Sequence, residues 1–467
     1  MKLYNTLTRQ IDEILPLQTG KLGIYTCGPT VYDYAHIGHW FTYVRADTLV
    51  RALQADGYDT TWVMNITDVG HLVSDADDGE DKLEKGARRE GKTAWDVASA
   101  YTKDFLDCME LLHIQEPNFI VKATDHIDEQ IKLIEQLESK GYTYVIDDGV
   151  YYDTSKFEGY AAFAKLDLDE QQEGARVSVN QQKRNPSDFA LWKFSPQDHT
   201  RDMEWPSPWG TGFPGWHIEC SAMSMTYLGE SFDIHTGGID HVPVHHTNEI
   251  AQSEAATGKR MAQTWMHSNH VSVEGEKISK SLGNGIRLQT LVDQGIPVEA
   301  IRLHILESHY RSQSKFSLES LQASANRLKH WQQVAALIWQ PADGIGASLA
   351  QPIADSAATI HQALTNDLNT PQVLTAVDAI FTQVETRLIA TNDVPHFQDF
   401  LDYLKTVLGI DLLANGTISA GQQSIIDQRR VARTNNDWAA SDALRDQLSA
   451  QGIGIKDVSS GTLWFRL

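Results

Sequence analysis

The residues best suited to chemistry lie in two short stretches and a scattered set of sulfur, imidazole and carboxylate groups. The first stretch, IYTCGPTVYDYAHIGHW (24–40), carries Cys27, a Gly-Pro turn, and His36 and His39 on either side of Gly38. Histidines spaced i, i+3 in the first turn of a helix present both imidazoles on one face. A glycine between them leaves room for a ligand to approach the backbone. The second stretch, KISKSLGNG (277–285), sets Lys277 and Lys280 among the hydroxyls of Ser279 and Ser281 beside glycines. Lysines next to hydroxyls in such a loop suit the charge that develops on a transferring phosphate. Elsewhere, His245 and Glu249 are i, i+4 on a helix expected to begin near Pro243, so they share a face. With Cys27 and Cys220 they make two thiolates, an imidazole and a carboxylate, a sound tetrahedral zinc set. Their spacing is not that of a zinc finger, so only the fold can gather them, and ordinary buried cysteines are the competing reading. His246, i, i+3 from Glu249, stays open as an alternative to His245.

The elements that must position these groups follow from periodicity. LGIYTC reads as a short buried strand. FTYVRADTLVRALQADG has helical spacing and closes on Gly57, and TTWVMNIT reads as a second strand. Strand, loop, helix, strand is a βαβ unit with a parallel sheet and right-handed crossover. His36 and His39 then fall at the strand-to-helix loop, where open α/β sheets hold phosphate and nucleotide. FDIH, a glycine loop and the helix after Pro243 form a second half of the sheet. YTYVIDDGVYYDTSKF reads as a hairpin turning at 147–149. The stretch 186–216, dense in proline and tryptophan, reads as an irregular connector. From about 316 onward long amphipathic helices predict a bundle, and the last segment predicts a helix followed by short strands.

Composition narrows the function classes. The chain has 467 residues, which suggests about three domains, and three cysteines, too few for a disulfide framework. No apolar run is long enough to span a membrane, and MKLYNTLTRQ has no signal core, so a cytoplasmic protein is expected. The net charge of −23 argues mildly against a nucleic-acid partner, although a basic face can sit on an acidic body. Cys108, in an apolar helical stretch, reads as core.

In this order, the His-x-Gly-His and Lys-x-Ser-Lys-Ser motifs resemble the class I aminoacyl-tRNA synthetases, with Ile278 standing for the usual Met as a like-sized apolar residue. TCGPTVYD, PGWHIECSAM, HHTNEIAQSE, WMHS and HYRSQ are similar to the cysteinyl-tRNA synthetases. DLNTPQVLTAV, DWAASDALRDQLSAQGIGIKD and GTLWF look like that family's tRNA-binding tail. The resemblance covers nearly the whole chain. It implies a Rossmann-like, doubly wound catalytic domain over 1–315, with a connective insertion near 115–215 and a lysine-motif region near 270–315. A helical bundle at 316–415 and a small C-terminal α/β anticodon module at 416–467 would follow.

The same resemblance implies the roles. His36 and His39 hold ATP phosphates, and Lys277 and Lys280 stabilise the pentacoordinate phosphate and departing pyrophosphate. Gly38, Thr30, Asp240, Ser279 and Ser281 contact ATP, which enters with Mg2+. Thr67 and Trp216 frame the substrate cysteine. Cys27, Cys220, His245 and Glu249 hold one zinc ion, whose preference for sulfur separates cysteine from serine where an apolar pocket could not. The implied activity is cysteine activation by ATP and transfer to the terminal adenosine of tRNA(Cys), by a monomer without membrane attachment. In the tail, Arg429, Arg430, Arg433 and Arg445 would meet phosphates and Trp464 would offer a stacking face. Two other readings remain: a cysteine–amino-sugar ligase of mycothiol synthesis, and an inactive zinc-binding paralogue. Thr236 and Ile239 depart from the family's glycine loop, and an insertion near 70–80 carries His71.

Overall fold

A computed structural model describes residues 1–70, 81–165, 180–197, 200–273, 276–277, 285–342, 347–458 and 461–467. Lys280, Ser279, Ser281 and residues 71–80, which hold His71 and nearly all of the insertion expected near 70–80, lie outside the described residues. Lys277 is described by its backbone. The chain divides into two compact units. One comprises Met1–Gly295, His309–Phe316 and Thr365–Leu368; the other comprises Ile296–Ser308, Ser317–Leu364 and Asn369–Leu467.

In the first unit a hairpin of β1 (Lys2–Asn5) and β2 (Gln10–Glu13) precedes the expected βαβ unit: β3 (Lys21–Thr26), α1 (Ile37–Ala55) and β4 (Asp59–Ile66). Gly57, at φ 91°, supplies the left-handed residue that lets the chain leave α1. After α2 (Lys82–Glu90), α3 (Ala94–Leu111) and β5 (Phe119–Lys122), the sheet is completed by β10 (Phe232–Gly238) and β11 (Ala262–Ser268). The strand order is β11-β10-β3-β4-β5, and every pairing is parallel. Chain order reverses between β3 and β10, which makes this the switch point of a doubly wound sheet, where ligands bind. Thr26 pairs with Thr236 there, and the Cys27 N–H donates to the Thr236 carbonyl over 3.0 Å.

Between the halves of the sheet come α4 (Ile127–Ser139) and an antiparallel sheet of β6 (Thr143–Ile146), β7 (Gly149–Tyr152), β8 (Phe189–Phe194) and β9 (Gly212–Pro214). The hairpin reading holds: Ile146 pairs with Gly149 around a two-residue turn. The reading of 186–216 as irregular is corrected, since β8 and β9 lie inside it. Phe189, Ala190, Leu191 and Trp192 are all buried, so β8 shows no alternation, and flanking prolines and glycines masked it. α5 (Trp216–Leu228) leads into β10. The chain then passes through a short 3-10 turn (Ile239–His241) and a π turn (Val242–His246) into α6 (Thr247–Thr257). The helix expected from Pro243 thus opens as a wider turn. The lysine motif starts on a separate three-stranded sheet ordered β13-β12-β14, of β12 (Val271–Val273), β13 (Glu276–Lys277) and β14 (Ser314–Phe316), with α7 (Leu288–Asp293) after the motif.

The second unit is helical: α8 (Val298–Leu306), α9 (Leu318–Ala335), α10 (Ala350–Thr365), α11 (Thr370–Arg387) and α12 (Val394–Leu408). Trp331, Phe381, Phe397 and Phe400 meet in its interior. The tail adds α13 (Ala420–Thr434), α14 (Trp438–Ala450) and the hairpin β15 (Ile453–Val458) and β16 (Gly461–Arg466), over a small core of Ile425, Ile426, Leu448, Ile453 and Trp464. Among the described residues, no helix is long and apolar enough to cross a membrane.

Candidate active site

Four elements converge at the switch point. Cys27 directly follows β3, Cys220 lies on α5, His245 sits in the π turn and Glu249 opens α6. Ligand atoms of Cys27, Cys220 and His245 lie within 4.8 Å of one another. The His245 Nε2 is 3.6 Å from the Cys27 Sγ and 3.0 Å from Glu249 Oε1. All four side chains are buried. The donor set is two soft sulfurs, an imidazole nitrogen and a carboxylate.

The electrostatics of this cluster ask for a cation. The Cys220 thiol is pushed well up by its hydrogen bond with Cys27 and by burial. For Cys27 the bond to Cys220 acts downward, but burial and Glu249 outweigh it and the thiol also rises. Burial would raise Glu249 too, yet His235 and His245 hold it at about 2. Burial would lower His245, but Glu249 and Cys220 push it up to about 10. A divalent ion held by these residues would stabilise both thiolates and stand in for the imidazole proton. The residues therefore fit zinc.

His217, His235 and His267, which sequence reasoning passed over, pack around these donors together with His241 and His246. His217 and His245 share a hydrogen bond between their Nδ1 atoms at 3.0 Å, which leaves the His245 Nε2 toward the sulfurs. His235 Nε2 lies 2.9 Å from Glu249 Oε2. His246, the alternative donor, bonds through Nδ1 to His267 Nε2 at 2.7 Å. His241, read as a loop residue, falls with Cys27 and His246 in a second convergent group, and His235, His246 and Glu249 form a third. Gly237 makes this crowding feasible, because a Cβ there would come within 2.6 Å of the His246 ring. The density of histidine in FDIH, PGWHIEC, HHTNE and WMHS was the available signal.

His36 caps α1 and His39 lies in its first turn. Their rings stack with centroids 3.8 Å apart. The His36 N–H donates to His39 Nδ1 over 3.0 Å, so a neutral His39 carries its proton on Nε2. The segment after the lysine motif returns to this same turn. The Ile37 N–H donates to the Ile286 carbonyl at 2.8 Å, and His36 pairs with Arg287 in an antiparallel bridge. Gly38 is half-buried in the first turn.

Thr30 and Thr67 pair across the loops leaving β3 and β4. The Thr67 N–H donates to Pro29 and the Thr67 carbonyl accepts from Val31. Thr67 Oγ1 accepts from Asn65 at 3.0 Å. The half-buried Trp216 ring lies 4.6 Å from that of His245, covering the donor cluster. Asp240 is exposed in the 3-10 turn. Thr236 is buried, with Oγ1 2.8 Å from that of Thr26. Cys108, half-buried on α3, belongs to none of the convergent groups, and burial pushes its thiol up to about 12.

Two readings of the tail are corrected. Trp464 is only 4% exposed and packs in the core of the module, so it offers no stacking face. Arg429 is buried in a bidentate pair with Asp457 rather than turned to solvent. The exposed indole is Trp438, with the Arg433 guanidinium 5.5 Å over its ring.

Residues 13–326 match the family described as tRNA synthetases class I (C) catalytic domain. Residues 415–464 match the cysteinyl-tRNA ligase anticodon binding domain. A cysteine–tRNA ligase of Burkholderia lata is 44% identical, covering 100% of this chain and 97% of its own length. One from Treponema denticola is 40% identical over the whole of both chains. The chain belongs to the cysteine–tRNA ligase family. It is therefore a class I ligase that forms an aminoacyl-tRNA. Solved structures agree on the fold. A methionyl-tRNA synthetase of Mycobacterium tuberculosis in complex with methionyl-adenylate superposes with a TM-score of 0.57 at 15% identity, covering 91% of this chain and 96% of its own. A leucyl enzyme of Agrobacterium radiobacter gives a TM-score of 0.60 at 13% identity, covering 87% and 86%.

Proposed function

We propose that this chain joins L-cysteine to ATP as cysteinyl-adenylate and passes the cysteinyl group to the 3′-terminal adenosine of tRNA(Cys). The observation that carries the substrate is the convergence of Cys27, Cys220, His245 and Glu249, with Cys27 at the head of the loop that ends on the stacked His36 and His39. Cys27, Cys220, His245 and Glu249 would hold zinc, which would supply a Lewis acid with a far stronger preference for thiolate than for hydroxyl. Cysteine is thereby distinguished from serine by bond type.

The chain's own groups do the rest. The His39 Nε2–H and the His36 imidazole donate to ATP phosphates at the start of α1, where the helix dipole also favours negative charge. Lys277 and Lys280 neutralise the pentacoordinate phosphate and the leaving pyrophosphate, with Ser279 and Ser281 beside them. Gly38, Thr30 and Asp240 complete the ATP contacts, and Mg2+ accompanies the nucleotide. Thr67 orients the substrate cysteine and Trp216 excludes water above it. Residues 1–315 serve as the catalytic domain, 316–415 contact the tRNA and 416–467 read the anticodon. The match over 415–464 supports tRNA, rather than an amino sugar, as acceptor.

The test is incubation of the purified chain with ATP, labelled cysteine or serine, and total tRNA. ATP-dependent label on tRNA from cysteine and not from serine is expected. Cysteinyl-adenylate formation without labelled tRNA would move the acceptor elsewhere.

A further inference from the structure

Arg287 stands just beyond the lysine motif, on the return limb that pairs with the histidine motif. The pairing is between backbones: Arg287 bridges His36, and the neighbouring Ile286 carbonyl accepts from Ile37. The place of Arg287 relative to His36 is therefore held by main chain. Its guanidinium carbon lies 3.7 Å over the ring of Tyr34, on the same loop as His36. Tyr34 is in turn held edge-on by Tyr101 of α3, with ring centroids 4.8 Å apart. Both Arg287 and Tyr34 are exposed.

A guanidinium that lies over a ring by its flat face directs its forked N–H groups outward in its own plane, above the ring. Those groups match two oxygens of a phosphate. Among the described residues, Asp104 of α3, half-buried, interacts with Arg287: its carboxyl is pushed up by burial and drawn back by the guanidinium. In a chain with 62 acidic and 39 basic residues, Arg287 places a cation on the strand-to-helix turn whose main chain also carries His36 and the start of α1.

We propose that Arg287, stacked on Tyr34, is a further phosphate-binding residue of this site, taking the β- and γ-phosphates of ATP and the departing pyrophosphate. This rests on the activity proposed above. In that step a carboxylate oxygen of cysteine bonds to the α-phosphorus as the bond from the α-phosphorus to the bridging oxygen breaks. The electron pair leaves on pyrophosphate, and the guanidinium meets that charge. Tyr34 is a positioning residue, because it acts through the arginine.

Cysteine-dependent ATP–pyrophosphate exchange and tRNA aminoacylation, measured on the full chain, test this. Arg287→Ala should raise the KM for ATP and for pyrophosphate about tenfold, as expected for one charge-assisted pair. The KM for cysteine should stay within about twofold, because the thiol-binding cluster is untouched. Arg287→Lys should recover part of the loss, since it keeps charge without the fork. Tyr34→Ala should shift the same constants in the same direction, and Tyr34→Phe should not. Unchanged ATP and pyrophosphate constants in Arg287→Ala would overturn the inference alone. So would a rise confined to the KM for tRNA, which would give the guanidinium to a tRNA phosphate. Absence of exchange in the wild-type chain would overturn the proposed function, and this inference with it.

Discussion

The Ile37 N–H donates to the Ile286 carbonyl across 2.8 Å, so the first residue of α1 is tied to the limb that returns from the lysine motif. A helix start leaves its first N–H groups without internal partners. Here one of them joins the turn of His36 and His39 to the limb that follows the lysine motif. Proline is well tolerated at this first helical position and has no N–H. Ile37→Pro should therefore keep α1 but lose the tie, lowering kcat for ATP–pyrophosphate exchange by about tenfold or more, as small misplacements do. Ile37→Ala keeps the N–H and loses buried packing. It should cost about 2–5 kcal/mol of stability while leaving exchange per folded molecule near wild type. Equal exchange rates in the two variants would show that the bond does not position the motifs.

Cys220 is buried against Cys27 and His245, and serine in its place offers zinc an oxygen. Cys220→Ser should lose metal by more than about 100-fold in affinity, beyond the range for an outer-shell change. The KM for cysteine should rise steeply. Elemental analysis finding one zinc per chain in this variant would refute the ligand set.

His235 holds Glu249 from the side away from His245, at 2.9 Å. His235→Ala leaves a buried carboxylate oxygen without that partner and should weaken zinc binding about 10–100-fold. His235→Gln can still donate and should recover part of it. Chelator competition measures both, and wild-type affinity in the alanine variant would remove His235 from the support of the centre.

Asp457 is held at about 2 by its hydrogen bonds with Arg429, against an ordinary value of 3.8. The folded value is the lower one, so the stabilisation is fully present above about pH 4 and is lost as pH falls toward 2. Asp457→Asn should loosen the tail at pH 7, and its difference from wild type should shrink from pH 5 to pH 3. Hydrogen exchange of α13 amides, corrected for intrinsic pH dependence, reads this. A difference that does not change with pH would assign the effect to shape rather than charge.

Much of the catalytic half was legible along the chain. The βαβ unit from β3 to β4 follows from local periodicity and Gly57, and His36 with His39 follows from helical spacing. Cys27, Cys220, His245 and Glu249 were recognisable as donors by type. β8 was not, because a strand buried on both faces carries no alternation to detect.

Residue type, short-range spacing and helix geometry are properties of adjacent positions, so the sequence alone determined the two motifs, the parallel βαβ unit and the inventory of candidate metal donors. Burial and pairing depend on residues far apart in the chain, so only the tertiary structure decided the rest. It put His235 on Glu249 and His217 on His245, turned Trp464 inward and Trp438 outward, tied Arg429 to Asp457, and brought Arg287 back over Tyr34.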